Sequence, residues 1–251
     1  MLQVTYIHHS CFVVELDHTI LVFDYFPAEA VEQVAYQGVM PTLDAAKEIF
    51  VFASHCHRDH FSLEVLRWAK KYPHICFVLS KDIRLGNHYL QRNGIDPTVK
   101  EQIRFVTPRN RYQVGDITVD TLRSTDAGVA FVVEAEGQRI YHAGDLHWWN
   151  AGMENELNAK VIGNAYKKEI NCLKNRHIDV AFVVLDPRLG EGYALGMEYF
   201  LQHVEADVVF PMHLWKQYDL IQRLRHKPEL LPYADKVVEL DRENVIYRVE
   251  G

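Results

Sequence analysis

Only four of the 251 residues are cysteine (Cys11, Cys56, Cys76 and Cys172), and no two of them stand as C-x-x-C, which excludes a thiolate zinc knuckle. Long apolar runs are missing too. The longest, such as Val180 to Leu185, have strand length and fall far short of the roughly 20 residues that span a bilayer. The opening Met1-Leu2-Gln3-Val4-Thr5-Tyr6 has no basic stretch leading into an apolar one, so no signal peptide is expected. These absences together point to a reducing compartment, the cytoplasm, and to no membrane partner. Excess positive charge is absent as well. At a formal net charge of -7 the chain has no global attraction to phosphate backbones, and nucleic acid is not the expected partner. The basic run Arg223-Leu224-Arg225-His226-Lys227 reads as a solvated helix face. No Pro/Gly/Ser linker and no low-complexity tract divides the chain, so residues 1–251 are expected to form a single domain.

What is present is an ordinary globular composition, 48% hydrophobic and 24% charged, enough for a sizeable core. The unusual count is 14 histidines, clustered at His8-His9, at His55/His57/His60 and at His142/His147. β-Branched and aromatic residues predict strands within 4–23, with Cys11 to Leu16 and Thr19 to Phe23 separated by an Asp17-His18 turn. Ile49 to Ala53 reads as a buried strand. A helix is expected from an N-cap at Ser62 to just before Pro73, then a strand over Ile75 to Leu79 and a helix over Asp82 to Gln91. Further strands are expected at Ile103–Val106, Arg111–Val114, Ile117–Leu122, Val129–Glu134 and Arg139–His142, and a long amphipathic helix from Met153 to Leu173. Val180–Leu185 and Val208–Met212 follow as strands, with helices at Met197–His203 and Tyr218–His226. Strands at Val237–Leu240 and Val245–Arg248 close the chain. The pattern implies two mixed sheets with helices outside.

The residues that carry chemistry follow strands. His55-x-His57-x-Asp59-His60 comes directly after Ile49–Ala53. In extended backbone i and i+2 point the same way, so His55 and His57 can grip one ion, while Asp59 and His60 lie past the bend and can serve a neighbouring one. Imidazole and carboxylate without thiolate suit zinc first, then manganese or iron. A polar loop that is rich in histidine by chance is the competing reading. Asp145 follows Tyr141-His142-Ala143-Gly144, and His213 follows Val208–Met212. Taken singly, the first is a turn aspartate and the second a structural histidine. All three features fall at strand C-termini, where α/β folds gather their sites.

At these residues the chain resembles the metallo-β-lactamase fold superfamily of hydrolases, and within it the lactonase-like branch of small bacterial enzymes. The resemblance rests on His55-x-His57-x-Asp59-His60, Gly144-Asp145 and the Pro211-Met212-His213 run, with His9-Ser10 and Asp24 resembling the opening strand pair. It covers nearly the full length. It implies an α+β architecture, an αββα four-layer sandwich, with the site at one edge of the two sheets. It also implies one or two divalent ions. His55 and His57 would bind the first, and Asp59, His60 and His213 the second, with Asp145 bridging. The third histidine that the family gives the first ion has no counterpart: His74 precedes a strand and His88 falls in a helix. Asp126, in Leu122-Arg123-Ser124-Thr125-Asp126, either replaces it or caps a turn beside Gly128.

Around these, His9, Asp24 and His142 are read as partners of the metal-binding groups rather than as ligands. Asp24 would accept a hydrogen bond from a ligating histidine and fix its tautomer. His147 either lines the pocket or is exposed to solvent, and Trp148 and Trp149 either wall a cleft or pack. Arg188 and Lys216 either hold an anionic substrate or pair with neighbouring carboxylates such as Asp186 or Glu191. The expected function is hydrolysis by a metal-activated water of a small ester, lactone or phosphoester, with Asp59 orienting the nucleophile and moving its proton. The alternatives are a nuclease or phosphodiesterase of the same superfamily, which the acidic balance disfavours, and a non-catalytic metal- or ligand-binding protein. Di-iron oxygen- or nitric-oxide-reducing relatives tend to carry a glutamate where His57 stands. Monomer and homo-oligomer are both open.

Overall fold

A computed structural model describes residues 2–149 and 156–249. The first half of the chain supplies β1 (Leu2–His8), β2 (Cys11–Glu15), β3 (Thr19–Phe23), β4 (Glu48–Ala53), α1 (Glu64–Arg67), β5 (Ile75–Ser80), α2 (Asn87–Arg92) and β6 (Ile103–Val106). The second half supplies β7 (Arg111–Val114), β8 (Ile117–Arg123), β9 (Val129–Ala135), β10 (Gln138–His142), α3 (Glu156–Ile170), β11 (Ile178–Val184), α4 (Leu195–His203), β12 (Ala206–Met212), α5 (Asp219–Arg225) and β13 (Val245–Val249).

The strands form a seven-stranded sheet, β13-β1-β2-β3-β4-β5-β6, and a six-stranded sheet, β12-β11-β10-β9-β8-β7. Both are mixed. β3 to β6 run parallel, as do β10 to β12, and the remaining pairings are antiparallel. Parallel strands are covered on both faces, which is why β3, β4 and β11 read as near-continuous apolar runs rather than as alternation. Period 2 still sorts their side chains. Val22, Val51 and Phe77 face the layer under α1 and α2, while Phe23, Phe52 and Val78 face the other sheet.

Phenylalanine rings fill the space between the sheets. Phe12 meets Phe182 at 4.3 Å between ring centroids, and Phe52 meets Phe131 edge-on at 5.2 Å. Each buried ring of this kind contributes about 1.5–3 kcal/mol over an exposed one. On the far side of the second sheet, Phe200 of α4 stacks on Tyr141 of β10, and Leu220 and Leu224 of α5 are buried. The layers therefore run helix, sheet, sheet, helix, the αββα sandwich expected from the sequence.

Several elements differ from expectation. The helix from Ser62 shrinks to α1 followed by a 3-10 turn at Trp68–Lys70, and Leu63 rather than Ser62 is its N-cap. The helix expected over Asp82–Gln91 is reduced to α2, because Asp82 lies in a turn closed by Ile83 N to Ser80 O at 3.0 Å and Gly86 is extended; the Asp82 side chain accepts the Cys56 N–H at 3.0 Å. In place of a strand at Val237–Leu240, a 3-10 run over Pro228–Lys236 leaves only a single bridge from Val237 to Val209. Residues 153–155 of the long expected helix lie outside the described residues. α3 follows, with a 3-10 turn at Asn171–Leu173.

The chemistry-bearing residues sit at one edge. His9 follows β1, Asp24 follows β3, and Ser54 to His60 follow β4. Asp126 follows β8, Asp145 β10, Asp186 β11 and His213 β12. That edge collects the C-terminal ends of the parallel strands of both sheets, the usual location of an α/β site.

Candidate metal centre

The backbone turns sharply where these strands end. His9, Asp24 and His213 all have positive φ (49°, 46° and 66°), a left-handed conformation that costs a non-glycine residue on the order of 1–3 kcal/mol. Their surroundings hold them there: His213 N donates to His9 O at 3.2 Å, and Asp24 N donates to Phe52 O at 2.9 Å. Two glycines let neighbouring loops close on Ser54. A Cβ at Gly128 would meet Ser54 O at 1.9 Å, and one at Gly144 would meet Ser54 Cβ at 2.6 Å. Both glycines have positive φ, so no side chain is accommodated at either position.

Two groups of donor atoms result, His55/His57/Asp126/Asp145 and His9/Asp59/His60/His213, each with its atoms within 4.8 Å of one another. Asp145 joins them. Its Oδ2 is 3.5 Å from His55 Nε2, and its Oδ1 is 3.2 Å from His60 Nε2 and 3.4 Å from His213 Nε2. In the first group His55 Nε2 and His57 Nδ1 are 2.9 Å apart, and Asp126 Oδ2 is 3.6 Å from His57 Nδ1. Two donors that share one ion at bonds of about 2.0–2.2 Å sit roughly 3.0–3.6 Å apart.

The separations that involve Asp145 and Asp126 match shared coordination, the His55–His57 pair lies just below the range at 2.9 Å, and the unpartnered atoms match it too. His9 Nε2, His60 Nε2, His213 Nε2 and Asp145 Oδ1 are buried with no hydrogen-bond partner. Such atoms cost about 1–3 kcal/mol each unless something else satisfies them. The donor set therefore fits a pair of divalent cations.

In the two donor groups, the opposite nitrogen of each buried imidazole is tied to an oxygen. His60 Nδ1 donates to Asp24 Oδ2 at 2.7 Å, and His213 Nδ1 donates to Asp186 Oδ2 at 2.7 Å. Ser54 Oγ donates to Asp24 Oδ2 at 2.7 Å, which leaves its lone pairs to accept from His55 Nδ1 at 2.9 Å. Tyr36 OH pairs with His9 Nδ1 at 2.8 Å. Each contact leaves Nε2 aimed at the centre, the arrangement that orients metal-binding histidines.

The electrostatics agree. Burial pushes Asp24 and Asp145 up, but the histidines around them outweigh it and hold both carboxyls below the usual range. Burial lowers His9 to about 3 and His55 to about 4, so both imidazoles are neutral donors near neutral pH. His60 is the exception. Burial disfavours its charge, yet Asp145 and Asp24 on either side raise it well above the ordinary value. The centre is built to surround positive charge.

Beside it lies a cleft of about 770 Å³ lined by Val31, Val34, Arg58, Asp59, Arg188 and Trp215 among others. Asp59, 22% exposed, stands between cleft and centre. Arg188 forks onto Asp186 (2.6 Å for Nη2 to Oδ2) and lies over the Trp215 ring at 4.5 Å.

The sequence-derived candidates His55, His57, Asp59, His60, Asp126, Asp145 and His213 are all brought together here. Asp24 accepts the Nδ1–H of His60. His142 is buried beneath the centre, donating from Nε2 to Ser10 O at 2.9 Å and accepting from Gly144 N at 3.1 Å. Lys216 is directed elsewhere, donating to Ala35 O at 2.9 Å with Glu243 at 3.6 Å. His9 lies among the donors rather than behind them. Ser54, Tyr36 and Asp186 were not singled out as site residues. Asp186 carried a usable signal, since it directly follows an apolar strand that lies between the two strands leading to Asp145 and His213.

Residues 3–161 match the family model of the β-lactamase superfamily domain. No curated protein gives a significant match. Among solved structures, the chain is similar to Igni18, a metallo hydrolase from the archaeon Ignicoccus hospitalis (15% identity, 99% of each chain, TM-score 0.62). It is also similar to the metallo-β-lactamase fold protein YhfI from Bacillus subtilis (15% identity, 99% of this chain and 100% of that one, TM-score 0.58). A third similar structure is CmlA, a diiron β-hydroxylase from Streptomyces venezuelae (12% identity, 98% of this chain and 54% of that one, TM-score 0.58). These likenesses are of fold, and among the described residues no helix is long and apolar enough to cross a membrane. With its family model matched over more than half its length and two His/Asp donor clusters at the strand edge, the chain belongs to the metallo-β-lactamase superfamily as a metal-dependent hydrolase.

Proposed function

We propose that this chain is a single-domain, two-ion hydrolase of small esters, lactones or phosphoesters. The observation that carries the reading is Asp145, whose two oxygens face different donor clusters. His55, His57 and Asp126 would hold one ion and Asp59, His60 and His213 the other, with Asp145 placed to serve both. A divalent ion bound at these donors supplies Lewis acidity and an activated water at neutral pH.

The chain's own groups do the rest. Asp59, between cleft and centre, orients the attacking water and takes its proton. Arg188, on the cleft wall, meets negative charge that develops on the substrate, while its fork to Asp186 keeps the guanidinium in place. Asp186 in turn holds His213, so substrate wall and metal donor share one support.

The lactonase-like resemblance favours a cyclic ester. A cleft of about 770 Å³ suits a small molecule rather than a polymer, and the net charge of -7 disfavours nucleic acid. Zinc is the first assignment. The outer cluster holds two imidazoles and two carboxylates, and that set also suits manganese or iron. All four cysteines are free, consistent with a cytoplasmic location.

The test is metal analysis of protein purified without added metal, then assay of lactone, ester and phosphodiester panels with the wild type and Asp145→Ala. Two ions and hydrolysis in the wild type, both lost in Asp145→Ala, support the reading. Full ion content and full activity in Asp145→Ala would overturn it.

A further inference from the structure

We infer that His9 is itself a metal ligand, a third imidazole in the buried half of the centre beside His60 and His213. The inference rests on the two-ion reading and extends it. The His9 ring is fully buried, and its Nε2 has no hydrogen-bond partner. Its Nδ1 is held by Tyr36 OH at 2.8 Å, just as His60 and His213 are held through Nδ1 by Asp24 and Asp186. Its Nε2 thus points where theirs point.

The distance to Asp59 separates a ligand from a supporting partner. A histidine that merely supports a carboxylate ligand would donate to it at about 2.7–2.9 Å, the usual length of a charge-assisted hydrogen bond. His9 Nε2 is 3.5 Å from Asp59 Oδ2, too long for a good hydrogen bond. It equals the separation of His55 Nε2 from Asp145 Oδ2 across the outer cluster, and it falls in the range of roughly 3.0–3.6 Å for two donors on one ion. The His9 and His213 rings lie side by side, 4.1 Å between centroids, and the backbones of the two residues are hydrogen-bonded.

The consequence is asymmetry. With His9, the buried half has His9, Asp59, His60, His213 and the shared Asp145, a donor for every position of a five-coordinate ion. The outer half relies on His57 and Asp126, which are 51% and 46% exposed. The buried half therefore retains its ion, and the outer half is where ion exchange occurs.

X-ray absorption spectroscopy of metal-stripped protein reloaded with one equivalent of zinc tests this. Three imidazoles per zinc are expected in the wild type and two in His9→Gln, with chelator competition showing the first zinc held at least tenfold more weakly in the variant. Two imidazoles in the wild type, or the same count in both proteins, overturns the inference and leaves the two-ion reading standing if a second equivalent still binds. Should His9→Gln fail to fold, the wild-type count alone decides. A chain that takes up no zinc overturns the two-ion reading itself.

Discussion

Asp186 Oδ2 accepts a hydrogen bond from His213 Nδ1 at 2.7 Å, and the same carboxylate receives the fork of Arg188. One buried acid just past the end of β11 therefore orients both a candidate metal-binding imidazole and a cleft-lining cation. Replacing it by asparagine keeps the shape and removes the charge. Asp186→Asn is expected to weaken metal binding about 10–100-fold, the usual effect of losing such a support. Chelator competition measures it; affinity within twofold of the wild type would show that His213 needs no carboxylate behind it.

Asp126 decides whether the outer cluster is complete. Its carboxylate stands 3.6 Å from His57 Nδ1, in a loop held against Ser54 by the closeness of Gly128. Asp126→Ala is expected to lower ion content from two to one while leaving the fold intact, since the side chain is half-exposed. Asp126→His is expected to keep two ions and to shift preference from manganese towards zinc, because imidazole is the softer donor. Elemental analysis after dialysis reads both. Two tightly held ions in Asp126→Ala would return Asp126 to a turn cap.

The contrast between Asp59 and Asp186 shows what the sequence made legible. Asp59 lies inside a dense local motif after an apolar strand, so spacing alone marks it. Asp186 acts through His213, 27 residues away, and a contact of that length leaves no local pattern. In sequence it resembles only a partner for Arg188, which it also is. Tyr36 is less legible still, because it reaches His9 from a loop without periodicity. The two-sheet architecture was readable because its strands are apolar runs separated by turns. The short helices α1 and α2 were overestimated, because the chain tightens into a 3-10 turn at Trp68–Lys70 after α1, and a turn closed by Ile83 N to Ser80 O keeps Asp82 out of α2, which starts only after Gly86.

Gly128 and Gly144 are expected to tolerate no side chain. In Gly128→Ala the new Cβ would lie 1.9 Å from Ser54 O, which accepts the Val129 N–H at 3.0 Å, so the loop carrying Asp126 must move away. The positive φ of 67° adds strain. A loss of about 2–4 kcal/mol is expected by urea denaturation, together with loss of the outer ion. Unchanged stability would show that this loop has slack the packing does not reveal.

The buried His142 gives stability a pH dependence of known sign. Its ring is stacked on Phe23 at 4.9 Å, its Nε2 donates to Ser10 O, and its Nδ1 accepts from Gly144 N. Burial lowers its pKa, against the opposing pull of Asp24 and Asp145. An acceptor at Nδ1 fits only the neutral ring. Unfolded, the same side chain takes up a proton as pH falls through about 6.5. Below that value the unfolded state binds a proton that the folded state does not. The contribution is therefore full above about pH 6.5 and declines on acidification until the folded-state pKa is passed. His60 carries the opposite sign and remains present when His142 is replaced. Urea titrations of metal-free wild type and His142→Gln between pH 5 and 8 should give a steeper loss of stability on the acid side for the wild type. The glutamine variant should start lower, because the stacking on Phe23 is gone, and run flatter. Parallel curves would mean that His142 is protonated in the folded protein, and Gly144 N would then lack its acceptor.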